Sequence, residues 1–147
     1  YTSRAMRVPI TRVDPTLPLP NYATEGSAGF DLIIRTTTTV EAGGMARLPA
    51  NVIVATPPNH MLLITVRSST PRRTGLRLAN GVGIVDQDYA GPDDEIHIEV
   101  WNRTSAPVVV QRGDRIAQGV FVRIAQAEWN EQDATGQPTR GGFGSTG

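Results

Sequence analysis

The 147 residues are enough for one domain with a real hydrophobic core, and at 39% hydrophobic but only 5% aromatic content that core must be built from Val, Ile and Leu. Zero formal net charge argues against wholesale attraction to nucleic acid or an acidic membrane, and the absence of cysteine excludes disulfides, thiol nucleophiles and cysteine-bound metals. All 14 cationic side chains are arginine, which leaves no lysine for Schiff-base chemistry. The first run with strand character is Arg4–Arg12. Gly29–Ile34, Met45–Val54, Met61–Val66, Glu95–Trp101, Pro107–Gln111 and Ile116–Arg123 follow, several of them β-branched or alternating, as in Ile96-His97-Ile98-Glu99-Val100-Trp101. Turn formers such as Glu41-Ala42-Gly43-Gly44 and Thr56-Pro57-Pro58-Asn59 separate them. One short helix is expected around Arg72–Gly75. From Ala127 the pattern dissolves into polar residues and glycine. The expected fold is all-β, a jelly-roll-like barrel or sandwich over residues 1–126, with a flexible C-terminal arm at 127–147. Apolar runs stay short of the ~18 residues of a membrane span. No pattern of a signal peptide is visible, so a cytoplasmic location is expected.

Five segments carry chemistry. Ser27-Ala28-Gly29-Phe30-Asp31-Leu32 offers Asp31, open to a metal-associated role or to structural pairing. Val66-Arg67-Ser68-Ser69-Thr70 places a planar guanidinium before three hydroxyls, a plausible phosphate cradle, with Arg72 and Arg73 adding charge; a solvated loop is the plain alternative. Asn80-Gly81-Val82-Gly83-Ile84-Val85-Asp86-Gln87-Asp88-Tyr89-Ala90-Gly91 brackets a short apolar run with glycines and is expected to form a β-hairpin. The backbone donors and acceptors at the mouth of such a hairpin, with the Asn80 amide, can read a pyrimidine edge. Asp86 can act as general base toward water, and Tyr89 can pack on a sugar. The plain alternative is a simple turn. In Gly113-Asp114-Arg115-Ile116-Ala117-Gln118, Asp114 and Arg115 are placed to pair, and Gln118 is a candidate ligand. The tail Arg140-Gly141-Gly142-Phe143-Gly144-Ser145-Thr146-Gly147 cannot build core; its Arg140, Ser145 and Thr146, with free amides such as that of Gly144, suit phosphate, and Phe143 can cover a base.

Other chemistries fit poorly. His60 and His97 lack the spacing of a zinc pair, and there is neither a nucleophile elbow nor a Gly-Lys-Ser phosphate loop. Carboxylates beside phosphate donors suit Mg2+ instead.

In this order the five segments resemble the five motifs of trimeric dUTP pyrophosphatases (dUTPases). The resemblance implies a homotrimer with shared active sites that hydrolyses dUTP to dUMP and pyrophosphate with Mg2+. Under it, Asp86 activates the water that attacks the α-phosphorus. Asn80, Gly83, Ile84 and Val85 read uracil, and Tyr89 leaves no room for a 2′-hydroxyl. Arg67, Ser68, Ser69 and Gln118 hold phosphates, and Asp31 touches the metal through water. Phe143 covers the base, with Arg140, Gly144, Ser145 and Thr146 at the terminal phosphate. Three departures stand out. Pro138 occupies the usual place of the tail arginine, with Arg140 two residues later. Val66 and Ser69 replace the proline and glycine that usually flank the second motif. Gly91-Pro92-Asp93-Asp94-Glu95 looks like an insertion that brings Glu99 into register with a strand glutamate of the related dCTP deaminases. A deaminase of the same fold and a catalytically silent nucleotide-binding regulator are the alternative readings.

Overall fold

The computed structural model describes residues 5–147; Arg4, the start of the first expected strand, lies outside them. Among the described residues the chain forms strands β1 (Ile10–Arg12), β2 (Asn21–Tyr22), β3 (Phe30–Leu32), β4 (Thr38–Val40), β5 (Met45–Pro49), β6 (Val52–Val54) and β7 (His60–Val66), then helix α1 (Thr70–Thr74), then β8 (Leu76–Leu78), β9 (Gly83–Val85), β10 (His97–Asn102), β11 (Val108–Val110) and β12 (Ala117–Arg123). The expected all-β class holds. A five-stranded sheet runs β2-β3-β12-β7-β9 and a three-stranded sheet β5-β10-β8, with the pairs β1-β6 and β4-β11 beside them. Every ladder between them is antiparallel.

Side chains alternate across a strand, so a period of two sorts them into core and surface. On β10 Ile98 and Val100 are buried while His97 and Trp101 are exposed, and on β8 Leu76 and Leu78 enclose an exposed Arg77. Ile98, Val100, Leu76 and Leu78 join Leu32, Ile34, Leu48, Leu62, Ile64 and Val110 in one core that is aliphatic apart from Phe30, which packs on Phe121 at 5.6 Å. Burying each such side chain contributes about 1.5–3 kcal/mol.

Four expectations need correction. The run Met45–Val54 is two strands, because Asn51 adopts a left-handed φ of 70° and turns the chain between β5 and β6. The run starting at Arg4 contributes only Ile10–Arg12, whose side chains are exposed on both faces. The hairpin expected at Asn80–Gly91 is instead a crossing between sheets. β8 pairs with β10, whereas β9 pairs with β7 (Leu62↔Val85, Ile64↔Gly83). The turn between them is closed by Gly81 N–H donating to the Leu78 carbonyl at 3.2 Å, with Gly81 at φ 77°. The short helix appears two residues early and stops at Gly75, whose φ of 75° suits glycine at a helix end. Strands β2, β4 and β8 were not anticipated.

Candidate active site

The crossing from β8 to β9 opens a cleft of about 280 Å3 lined by Asn80, Gly83, Ile84, Val85, Asp86 and Tyr89, over a floor that includes Ile64 and Leu78. Six of the seven residues assigned by sequence to base, sugar and water lie on this one surface; Phe143 does not. Gly83 lets β9 lie close to β7: a Cβ there would stand 3.0 Å from the Ile64 Cβ, so any side chain would push Ile64 back by a few tenths of an ångström. Ile84 projects, 61% exposed, into the cleft mouth and offers an apolar edge to a base. Asp86 is exposed, and its carbonyl accepts the Tyr89 N–H at 3.3 Å. The carboxylate is thereby left available on the turn.

Arg47, His97 and Glu99 also line this cleft and had not been singled out together. Glu99 lies directly opposite Arg47 on the β10–β5 ladder and meets it at 3.3 Å, a cross-strand ion pair in the cleft wall.

The Tyr89 hydroxyl donates to the carbonyl of Glu95 at 2.9 Å. Glu95 is buried, and Arg35 holds its carboxylate with two hydrogen bonds of 2.8 Å, while the Asn51 N–H donates to it at the same distance. Burial pushes the Glu95 carboxyl up, but the Arg35 hydrogen bonds, the Asn51 amide and the charges of Arg35 and His97 outweigh it and hold it below its ordinary 4.5. A lowered carboxyl stabilises the fold above its unfolded value, and that contribution is lost as pH falls through the folded value. Urea midpoints are therefore expected to drop as pH falls below the ordinary carboxyl value of 4.5. Glu95→Gln, less stable at neutral pH, is expected to lose part of that slope. An unchanged slope assigns the acid loss to other carboxylates.

A second cleft of about 380 Å3 is lined by Arg67, Ser69, Arg73, Thr74, Gly113 and Arg115, among others. Arg67 leaves the end of β7, its Nε 3.1 Å from Asp31 Oδ1 and its Nη1 donating to the Arg115 carbonyl at 3.1 Å. Asp31 on β3 faces Gln118 on β12 across the ladder, and Gln118 Nε2 donates to the Val66 carbonyl at 3.4 Å. Asp31, Arg67, Ser69 and Gln118 are thus gathered at one end of the five-stranded sheet, with Ser68 exposed beside them. Asp114 does not pair with Arg115. Its Oδ2 accepts the Gln111 N–H at 2.8 Å and closes the turn, which leaves the Arg115 side chain outside any ion pair among the described residues.

The two clefts share no lining residue. The tail belongs to neither: Arg140, Gly144, Ser145 and Thr146 are exposed, and the Phe143 ring is fully so. Ser145 N–H donates to the Gly142 carbonyl and Gly147 N–H to that of Gly144, so the tail is a run of turns that makes its bonds within itself. Among the described residues no three His, Cys, Asp or Glu side chains are grouped as a metal cage, and no helix is long and apolar enough to cross a membrane.

The family model described as dUTPase matches residues 16–147. A deoxyuridine 5′-triphosphate nucleotidohydrolase of Pasteurella multocida is 43% identical over 141 residues, covering 92% of this chain and 91% of that protein. Among solved structures, the dUTPase of Streptococcus mutans superposes with a TM-score of 0.75 at 31% identity, over 82% of this chain and 98% of that one. A Staphylococcus bacteriophage 80alpha dUTPase with dUPNHPP gives a TM-score of 0.86 at 21% identity, over 97% and 99%, a likeness of fold.

Proposed function

The chain belongs to the dUTPase family and is a dUTP diphosphatase, and on that premise we propose that each active site is assembled from more than one copy of it, in a homotrimer. The observation that supports this is that the two clefts have different linings, with no residue in common. One offers an apolar edge, an amide and a carboxylate; the other offers guanidinium and hydroxyl groups. One dUTP molecule, with its base at one end and its phosphates at the other, needs both, and the two surfaces share no lining residue within a chain.

In this reading Asn80 and the backbone of Gly83, Ile84 and Val85 read uracil. A donor–acceptor edge that pairs with uracil leaves groups unpaired against cytosine. Tyr89 packs on deoxyribose. Asp86 orients a water molecule and takes its proton as the water oxygen bonds to the α-phosphorus. The bond from that phosphorus to the bridging oxygen breaks, and pyrophosphate leaves dUMP behind. General-base action of this kind is worth ~10²–10⁴-fold. Arg67, Ser68, Ser69 and Gln118 hold the phosphate oxygens. The arm at residues 127–147, after the body at 1–126, closes the site: Phe143 covers uracil, while Gly144, Ser145, Thr146 and Arg140 meet the terminal phosphate.

Magnesium fits this donor set as an ion carried by the substrate. Asp31 gives one carboxylate at the phosphate end, with Oδ1 engaged by Arg67, and Mg2+ is commonly held by one or two carboxylates plus phosphates and water. Asp31 would hold it through water, and the ion supplies neutralisation of phosphate charge.

Pyrophosphate and ammonia release from dUTP, dCTP, dTTP and UTP, with Mg2+ and with EDTA, combined with light scattering, tests the proposal. Turnover of dUTP alone, by a trimer and dependent on Mg2+, is expected. A fully active monomer overturns the shared site, and ammonia from dCTP brings in deamination.

A further inference from the structure

The segment Gly91–Glu95 does more than lengthen a turn. Asp94 closes it on itself, with Gly91 N–H donating to Asp94 Oδ2 at 2.8 Å and Asp94 N–H donating to the Gly91 carbonyl at 3.1 Å. The next residue beyond it, Ile96, is clamped between β5 and β6: its N–H donates to the Val52 carbonyl at 2.9 Å and its carbonyl accepts the Ala50 N–H at 2.8 Å. Glu95 lies between the closed turn and this clamp. Its carboxylate is locked by Arg35 and by the Asn51 N–H, and its carbonyl receives the Tyr89 hydroxyl at 2.9 Å and lies 2.8 Å from His97 Nδ1. Asn51 is itself fixed, exchanging hydrogen bonds of 2.7 and 3.0 Å with the backbone of Asp14.

An ion pair with one buried partner is a poor device for stability alone, because desolvating Glu95 offsets much of the attraction to the half-exposed Arg35. What this one does is define a position. Tyr89 is 38% exposed, and packing alone leaves its ring free to shift; the hydroxyl bond to a clamped carbonyl removes that freedom. An apolar wall rejects an added hydroxyl only weakly, by ~10². A steric wall discriminates only if it is held within about 0.5 Å.

We propose that Glu95 is a positioning residue for sugar discrimination: anchored by Arg35 and Asn51, it fixes the carbonyl that holds the Tyr89 hydroxyl, and so sets where the ring stops a 2′-hydroxyl. The proposal rests on the reading that Tyr89 packs on deoxyribose, and it gives the Pro92–Glu95 stretch a role in specificity.

The test compares kcat/KM for dUTP and UTP in the wild type, Tyr89→Phe, Glu95→Gln, the double variant and Tyr89→Ala. Tyr89→Phe and Glu95→Gln should each raise the UTP-to-dUTP ratio by about fivefold, the worth of one neutral hydrogen bond. The double variant should go no further than the larger single effect, because both changes break the same link. A ratio unchanged in Tyr89→Phe overturns the proposal. So does a Glu95→Gln protein that melts earlier yet discriminates normally, or a double variant in which the effects multiply to about 25-fold. Should Glu95→Gln fail to fold, Arg35→Lys, which keeps the charge and loses the two-pronged contact, carries the same comparison. Tyr89→Ala separates the two levels. If it leaves discrimination intact, the sugar-packing reading itself fails. If it abolishes discrimination while Tyr89→Phe does not, only the role of Glu95 fails.

Discussion

Asp86→Asn is expected to bind a non-hydrolysable dUTP analogue with an affinity close to the wild type and to lose turnover by ~10²–10⁴-fold. The substitution keeps shape and hydrogen-bonding capacity but cannot take a proton from water. It should leave the fold alone: the side chain is exposed, and the contact that closes this turn uses the Asp86 carbonyl, not its carboxylate. Calorimetric binding with single-turnover kinetics reads the two effects separately. Turnover within about tenfold of the wild type would remove Asp86 from the base role, and lost binding would make it a substrate ligand instead.

Removing residues 140–147 is the second large effect. The truncated protein should keep its melting temperature and oligomeric state, because this segment makes its turns within itself and buries no large side chain. Its kcat/KM for dUTP should fall by about 10²-fold or more, the usual consequence of losing a closing element that positions reacting groups and excludes water. Phe143→Ala, made beside it, should reproduce the part of the loss due to covering the base. A truncated protein that unfolds or dissociates would make the tail a structural element rather than a lid.

How much of this could be read from the chain alone differs between levels. β10 was legible because alternation is a local signal, Ile98 and Val100 against His97 and Trp101, and β7 because Met61–Ile64 is a short unbroken apolar run. The all-β class followed from it, and the grouping of Asn80, Gly83, Asp86 and Tyr89 followed from proximity in sequence. The break at Asn51 was not legible, since the strand pattern continues across it and one positive φ leaves no trace in hydropathy. The separation of β8 from β9 was hidden too: which strand a short run pairs with depends on distant partners, here β10 and β7. Glu95 is the sharpest case. It reads as one more acid in a turn, yet its partners Arg35 and Asn51 lie 60 and 44 residues away. Its only sequence signal was that the stretch around it looked like an addition. The tail was legible in composition, and residues 127–147 indeed carry neither strand nor helix.

The unshared linings of the two clefts have a genetic consequence. In the assembly proposed, a chain damaged at Asp86 still presents an intact phosphate surface, and a chain damaged at Arg67 still presents an intact base surface. Two alleles, each inactive alone, are then complementary when their products mix, because some sites draw both halves from undamaged surfaces. A cell carrying one wild-type and one defective copy feels the defect at sites where the wild-type chain is also present, so the unit of inheritance and the unit of catalysis do not coincide.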